Sequence, residues 1–214
     1  MAEQSAPRNG TRELSDAQFR RKLLLAAFGV CAATALLFVD SLWRYAWNDF
    51  YKVIEWAGFA LIIVCVLGRT WCTCYIGGKK NKVLIEHGPY SLVRNPLYVF
   101  SVIGAAGIGA QFGSLTIALL LPLVTTLVLR SVVQKEEVEL AKRFGQSYGA
   151  YVARVPRFLP RLSLWQDLDE LTLRHDLVAK TLLQASLFLL AIPFAEAVEK
   201  AQQLGWLPVV LRLA

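Results

Sequence analysis

Charge is scarce in this chain. Of its 214 residues only 18% are Asp, Glu, Lys or Arg, against 56% hydrophobic, and the mean hydropathy is +0.45. A soluble domain carries about 25% charged and 45–50% apolar residues. The composition therefore excludes an ordinary soluble globular protein, and the apolar content excludes a disordered one. Imidazoles are scarcer still, with only His87 and His175. The four cysteines, at positions 31, 65, 72 and 74, make no disulfide framework. Cys31 and Cys65 lie inside apolar runs, where a thiol is a small hydrophobe. The spacing Cys72-Thr73-Cys74 is not that of a zinc knuckle, so no metal site is expected. There is no internal repeat, which speaks against a transporter built from inverted halves. No small-residue cleavage site stands out near the first apolar run, and further runs follow, so it reads as a retained helix rather than a signal peptide. Acidic residues number 16 against 23 basic ones, a net charge of +7. In so apolar a chain this surplus points to the inner loops of a membrane protein and not to a nucleic-acid partner.

What is present is apolar sequence in long runs. They cover residues 23–43, 53–71, 96–112, 115–133 and 177–195. About 20 helical residues at ~1.5 Å each cross a ~30 Å hydrocarbon layer. The third run is short and rich in Gly, and Pro122 is expected to kink the fourth. Only Gln111-Phe112-Gly113-Ser114 separates these two, which predicts a tight hairpin. The fold class read from this pattern is all-α, a polytopic membrane bundle of about five transmembrane helices. Lys and Arg concentrate before the first run, between the second and third, and between the fourth and fifth. That places the N-terminus and these loops in the cytoplasm and the C-terminus outside. Asp40 and Glu55, near the outer ends, read as solvated helix ends. The expected divisions are a tail (1–22), two transmembrane helices and a loop (23–84), a core with the hairpin (85–161), and a C-terminal part (162–214). The last should hold an interfacial helix presenting Leu164, Leu168 and Leu171, then the fifth transmembrane helix and a tail.

The polar residues gather in two segments. The first runs from His87 to Tyr98. Gly88-Pro89 forms a turn, Asn95 stands as an N-cap, Pro96 opens a helix, and Tyr98 falls on its first turn. The second runs from Arg130 through Glu136-Glu137, Leu140, Phe144-Gly145, Tyr148 and Tyr151 to Val155-Pro156-Arg157-Phe158-Leu159-Pro160. Taken singly, the first reads as a helix start at a membrane surface with Arg94 on lipid phosphate. The second reads as a solvated charged face.

Taken together and in this order they resemble the catalytic half of the isoprenylcysteine carboxyl methyltransferase and phospholipid methyltransferase superfamily, integral membrane enzymes that use S-adenosylmethionine. The resemblance rests on Gly88-Pro89-Tyr90, Arg94-Asn95-Pro96-Leu97-Tyr98, Gly107-Ile108-Gly109, Glu136-Glu137, Leu140, Phe144-Gly145, Tyr148, Tyr151 and the closing Val155–Pro160, over about residues 85–161. The chain departs from the family pattern at Asn95, where many members have His, and at Phe100, where a small residue is common. An amide still donates and accepts hydrogen bonds. The resemblance implies one S-adenosylmethionine held at the cytoplasmic face by Tyr90, Arg94, Asn95, Tyr98, Gly107, Gly109, Glu136, Glu137 and Tyr148. The glutamates would accept from the ribose or the amino group. Arg94 would pair with the carboxylate. The glycines would let a helix approach closely, and Tyr98, Tyr148 or Tyr151 would face the sulfonium. Arg94 and Tyr98 are also the expected catalytic residues, with Arg154 and Arg157 holding either an anionic acceptor or lipid headgroups. In-line methyl transfer needs alignment more than acid–base work. The expected partners are membrane lipids and a lipophilic or lipidated acceptor, foremost the carboxylate of an isoprenylcysteine-like molecule, in a bacterial inner membrane or the endoplasmic reticulum. A phospholipid amine methyltransferase, an NADPH-dependent membrane reductase with a similar Arg-x-Pro-x-Tyr, and a non-enzymatic membrane protein stand as alternatives.

Overall fold

A computed structural model describes residues 34–77 and 83–214. Its elements in chain order are β1 (Val39–Ser41), α1 (Trp43–Ala46), α2 (Asn48–Ile76), α3 (Pro89–Leu92), α4 (Pro96–Ala110), α5 (Leu115–Arg154), α6 (His175–Ser186), α7 (Ala191–Gln203) and β2 (Leu211–Leu213). Short 3-10 turns lie at Leu162–Leu164 and Leu187–Leu190. Among the described residues, three helical stretches are long and apolar enough to cross a membrane: Asn48–Ile76, Leu115–Arg154 and His175–Gln203. α4 is apolar but has only 15 residues. The architecture is a membrane helix bundle.

α2 is the centre of the bundle, packing against α4 on one side and α6 on another, while α4 and α5 form the expected hairpin around 111–114. Ile62 and Cys65 of α2 are fully buried where these helices meet. Many leucines of α5, α6 and the 3-10 turn after α6, among them Leu119, Leu123, Leu183 and Leu187, stay exposed in the chain alone, as lipid-facing positions must.

Four expectations need correction. Most of the first apolar run lies outside the described residues, but its described end leaves the helix: Val39–Ser41 pair in parallel with Leu211–Leu213, Val39 opposite Leu211. The C-terminal tail is thus tied to the segment that leads into α1. The backbone of α5 departs from helical geometry at Gly145 (φ 52°, ψ −121°), where no break was expected. Only Gly tolerates that region. The interfacial helix is absent. Beyond Leu162–Leu164 the chain has no regular structure up to His175, because Gln166 and Asp167 spend their hydrogen bonds on other elements. Finally, the fifth run is two helices joined by a 3-10 turn. That turn precedes Pro193, which lacks the N–H to continue the ladder.

Candidate active site

The two polar segments meet where α2 ends and α4 begins. Pro89 opens the single turn α3, and Ser91 Oγ donates to Gly88 O at 2.7 Å. Val93 then turns extended and Pro96 starts α4. Three long-range hydrogen bonds bind this segment to the second one. Tyr151 Oη donates to Tyr90 O (2.8 Å), Arg94 N to Pro156 O (2.9 Å) and Arg161 N to Leu92 O (3.1 Å). They are possible because Gly145 kinks α5; beyond it Tyr148, Tyr151 and Val155 cluster with Leu84, Leu140 and Phe144. A strap from 165–167 closes the far side. Gly88 N donates to Gln166 O (2.7 Å), Trp165 stacks on Trp71 with centroids 5.8 Å apart, and Tyr75 Oη donates to Asp167 Oδ1 (2.7 Å). That bond, with another from Leu168 N, holds the exposed Asp167 carboxyl below its ordinary pKa.

Between the segments lies a cavity of about 340 Å³. Arg69 and Ile76 line it from α2, Leu84 and Ile85 from the loop, Tyr90 from α3, Arg94 to Tyr98 from the start of α4, Glu136, Glu139 and Leu140 from α5, and Tyr151 from beyond the kink at Gly145. Behind Arg94 sits Glu137. Arg157 grips it with two donors, Nε at 3.1 Å and Nη2 at 2.6 Å, and Arg94 Nη1 lies 3.2 Å from Oε1. Asn95 Nδ2 reaches Glu137 Oε1 at 3.5 Å and Arg157 O at 3.4 Å. The Asn95 side chain makes no cap bond. It spans the two segments instead of serving as the expected N-cap.

The structure thus brings Tyr90, Arg94, Asn95, Tyr98 and Glu136 to the cavity wall. Glu137, Tyr148 and Arg157 line a shallow cleft on the other side of Arg94, which alone borders both. Arg154 lies apart in a half-exposed pair with Glu86, 2.6 Å away. Gly107 and Gly109 line neither space, which corrects their expected position. A Cβ on Gly107 would stand 2.8 Å from Gly58 O, and one on Gly109 2.6 Å from Ile117 O. Both let α4 approach its neighbours, α2 and α5. Arg69, inside the second apolar run, was not among the expected site residues. The available signal was a cation inside an apolar helix, about two turns from its end.

A group of S-adenosylmethionine chemistry can be tested against this wall. Arg69 Nε, Arg94 Nε and the Tyr90 hydroxyl are buried without hydrogen-bond partners among the described residues. Burial pushes the Tyr90 hydroxyl far above the ordinary phenol range, so it remains a donor at neutral pH. Two cations and a donor from α2, α3 and the start of α4, with two carboxylates from α5, suit a ligand that carries both an anionic and a cationic group. A cavity of this size is also within the usual range for small ligands.

The phospholipid methyltransferase family profile matches residues 53–147, a stretch that contains α3, α4 and the hairpin. The chain belongs to the isoprenylcysteine carboxyl methyltransferase and phospholipid methyltransferase superfamily. Within that superfamily it is 34% identical over 87 residues to a protein-S-isoprenylcysteine O-methyltransferase of Schizosaccharomyces pombe, covering 40% of this chain and 37% of the relative. Two bacterial relatives align over much more. It is 32% identical over 179 residues to the nickel-cobalt-cadmium resistance protein NccN of Alcaligenes xylosoxydans xylosoxydans, covering 84% of this chain and 83% of the relative. It is 33% identical over 180 residues to the cobalt-zinc-cadmium resistance protein CzcN of Cupriavidus metallidurans, covering 84% and 82%. No solved structure matches the chain. The protein is accordingly an integral membrane protein of a methyltransferase superfamily, and its cavity lies where the two motif segments meet.

Proposed function

We propose that the chain moves a methyl group from S-adenosylmethionine to the carboxylate of a lipophilic acceptor of the isoprenylcysteine type. The observation that carries this reading is the cavity wall, where Arg69 Nε, Arg94 Nε and Tyr90 Oη have no partner among the described residues and Glu136 and Glu139 of α5 share the lining. When bound, the cofactor supplies a methyl group activated on a sulfonium, and a carboxylate acceptor needs no general base. The chain's own work is then to bind and align. Arg94, held by Glu137, presents its remaining donors to an anionic group. Glu136 and Glu139 favour a cationic one. Tyr98 and Tyr151 offer ring faces to a cation. The cavity end is read as cytoplasmic from the basic loops that flank it, and membrane lipids are the surroundings from which an acceptor enters. The names of the two bacterial relatives support a role for this modification in metal tolerance.

The test is calorimetry with S-adenosylmethionine on the detergent-purified protein, with NADPH as the control ligand. We expect micromolar binding that Arg94→Ala weakens at least ten-fold. Binding of NADPH instead would assign the cavity to a reductase. Transfer of labelled methyl from S-adenosylmethionine to N-acetyl-S-farnesylcysteine, against phosphatidylethanolamine, then separates a carboxyl from an amine acceptor.

A further inference from the structure

The cavity carries two arginines of unequal standing. Arg94 has the carboxylate of Glu137 at 3.2 Å. Arg69 makes no ion pair among the described residues. Its Nη1 donates to Leu97 O at 3.5 Å and to Ser101 Oγ, both on α4, and its Nε is buried without a partner. It also lies deeper in the bundle. Arg94 and Asn95 precede α4, whereas Arg69 stands about two turns inside the spanning helix α2, beside the second turn of α4. A guanidinium keeps its proton in a protein, so this charge has to be met by something other than proton loss. An uncompensated cation at such depth is costly and marks the path of an anionic ligand. Its neighbours on the cavity wall, Ile76 and Leu97, are apolar. The carboxylates that share the space, Glu136 and Glu139, come from α5 beyond its apolar part and disfavour an anion there.

We infer that Arg69 anchors the carboxylate of an amphiphilic acceptor at the membrane-side end of the cavity, leaving the Arg94 end to the methyl donor. Arg69 is then a specificity-determining residue: it selects an anionic acceptor over a neutral or cationic one. The inference rests on the methyl-transfer reading above. It differs from that reading in assigning the two arginines to two different ligands.

The test compares wild type, Arg69→Gln and Arg69→Lys in detergent by calorimetry. The ligands are S-adenosylmethionine, N-acetyl-S-farnesylcysteine and the carboxamide of the latter. Gln keeps donors for Leu97 O and Ser101 Oγ, and unchanged thermal unfolding will show that the fold survives. We expect Arg69→Gln to bind S-adenosylmethionine as wild type does and the carboxamide as wild type does. It should bind the carboxylate about ten- to hundred-fold more weakly, the worth of a hydrogen bond to a charged group. Arg69→Lys should recover most of that loss. Equal binding of carboxylate and carboxamide by wild type overturns the inference, as does a wild type that binds the donor but neither acceptor. Loss of S-adenosylmethionine binding in Arg69→Gln with the carboxylate unaffected also overturns it, and hands Arg69 to the donor's own carboxylate. A wild type that binds no S-adenosylmethionine removes the underlying methyltransferase reading itself.

Discussion

The molecule has two clusters of arginine and carboxylate, one at each end of the helix bundle, and they are built differently. At the strand end, Arg44 lies 2.8 Å from Asp40 and 3.4 Å from Glu199, and donates to Tyr51 Oη at 3.1 Å. Tyr51 in turn donates to Glu199 at 3.0 Å, and Tyr45 Oη donates to Asp40 at 2.9 Å. Each charge touches an opposite one, and the cluster joins β1, α1, α2 and α7. Arg44 Nε and Nη1 fall outside hydrogen-bond geometry but still face these carboxylates. At the cavity end, Glu137 meets Arg94 and Arg157 in the same manner, but Arg69 has no carboxylate within ion-pair distance among the described residues, and the Tyr90 hydroxyl has no hydrogen-bond partner there. A cluster in which every charge is paired staples elements together. One with an unpaired cation beside a cavity is stabilised further by a ligand that brings the missing acceptor.

Substitutions at the two ends should therefore part company. The largest effect on stability is expected for Arg44→Ala, which strands the fully buried Asp40. It should lower stability by about 3–5 kcal/mol and leave the affinity for S-adenosylmethionine unchanged in the protein that remains folded. Thermal unfolding and calorimetry on one preparation check both halves. Glu137→Ala strands Arg94, and through it the cavity wall. Here we expect a drop in stability of about 2–4 kcal/mol, Arg157 being partly solvated, together with at least ten-fold weaker S-adenosylmethionine binding. An Arg44→Ala protein that loses the ligand, or a Glu137→Ala protein that keeps it, would erase the distinction between the clusters.

Two smaller changes sharpen it. Gly145→Ala meets no atom within 4 Å, so its cost is backbone strain alone, about 1–3 kcal/mol. Because Gly145 is what returns Tyr148 and Tyr151 to the site, part of that cost should appear as weaker binding of S-adenosylmethionine in a titration. Asn95→Ala removes two contacts of 3.4 and 3.5 Å, at the long limit for hydrogen bonds. Its effect on binding should be under ten-fold, and Asn95→His should be tolerated. The smallest effect concerns the strap. The Asp167 carboxyl is held low by Tyr75 Oη, so its contribution is present above the ordinary carboxyl pKa of about 3.9 and is lost only as the pH falls through its lowered value. Fluorescence of the Trp71–Trp165 stack should be flat from about pH 5 to 8 and change below about 4. Asp167→Asn should abolish that change.

The legible part of the fold followed from the solvent. Residues 53–71, 96–112 and 115–133 read as apolar runs and form helices because a backbone in hydrocarbon must satisfy itself locally. The break at 111–114 was visible for the same reason. The candidate site was legible as two polar segments flanking the hairpin. Which members face the ligand was not. Glu136 and Glu137 are indistinguishable as letters, yet one lines the cavity and the other faces the shallow cleft, locked between two arginines. Gly107 and Gly109 looked like cofactor contacts because close approach was the right physics assigned to the wrong neighbour: a helix, not a ligand. The surface helix predicted from Leu164, Leu168 and Leu171 failed because periodicity is a weak local preference. Hydrogen bonds from Gly88 to Gln166 and from Tyr75 to Asp167 overrode it.

By itself, then, the sequence determined a membrane helix bundle with a hairpin at its core and two polar segments beside it, since burial in lipid and turn chemistry act on neighbours along the chain. Tertiary structure alone decided the pairing of β1 with β2, the hydrogen bond that brings Tyr151 to Tyr90, the bridging of Arg94 and Arg157 by Glu137, and the exposure of Arg69 to the cavity. Each of these depends on contacts between residues far apart in sequence, where neither spacing nor propensity carries information.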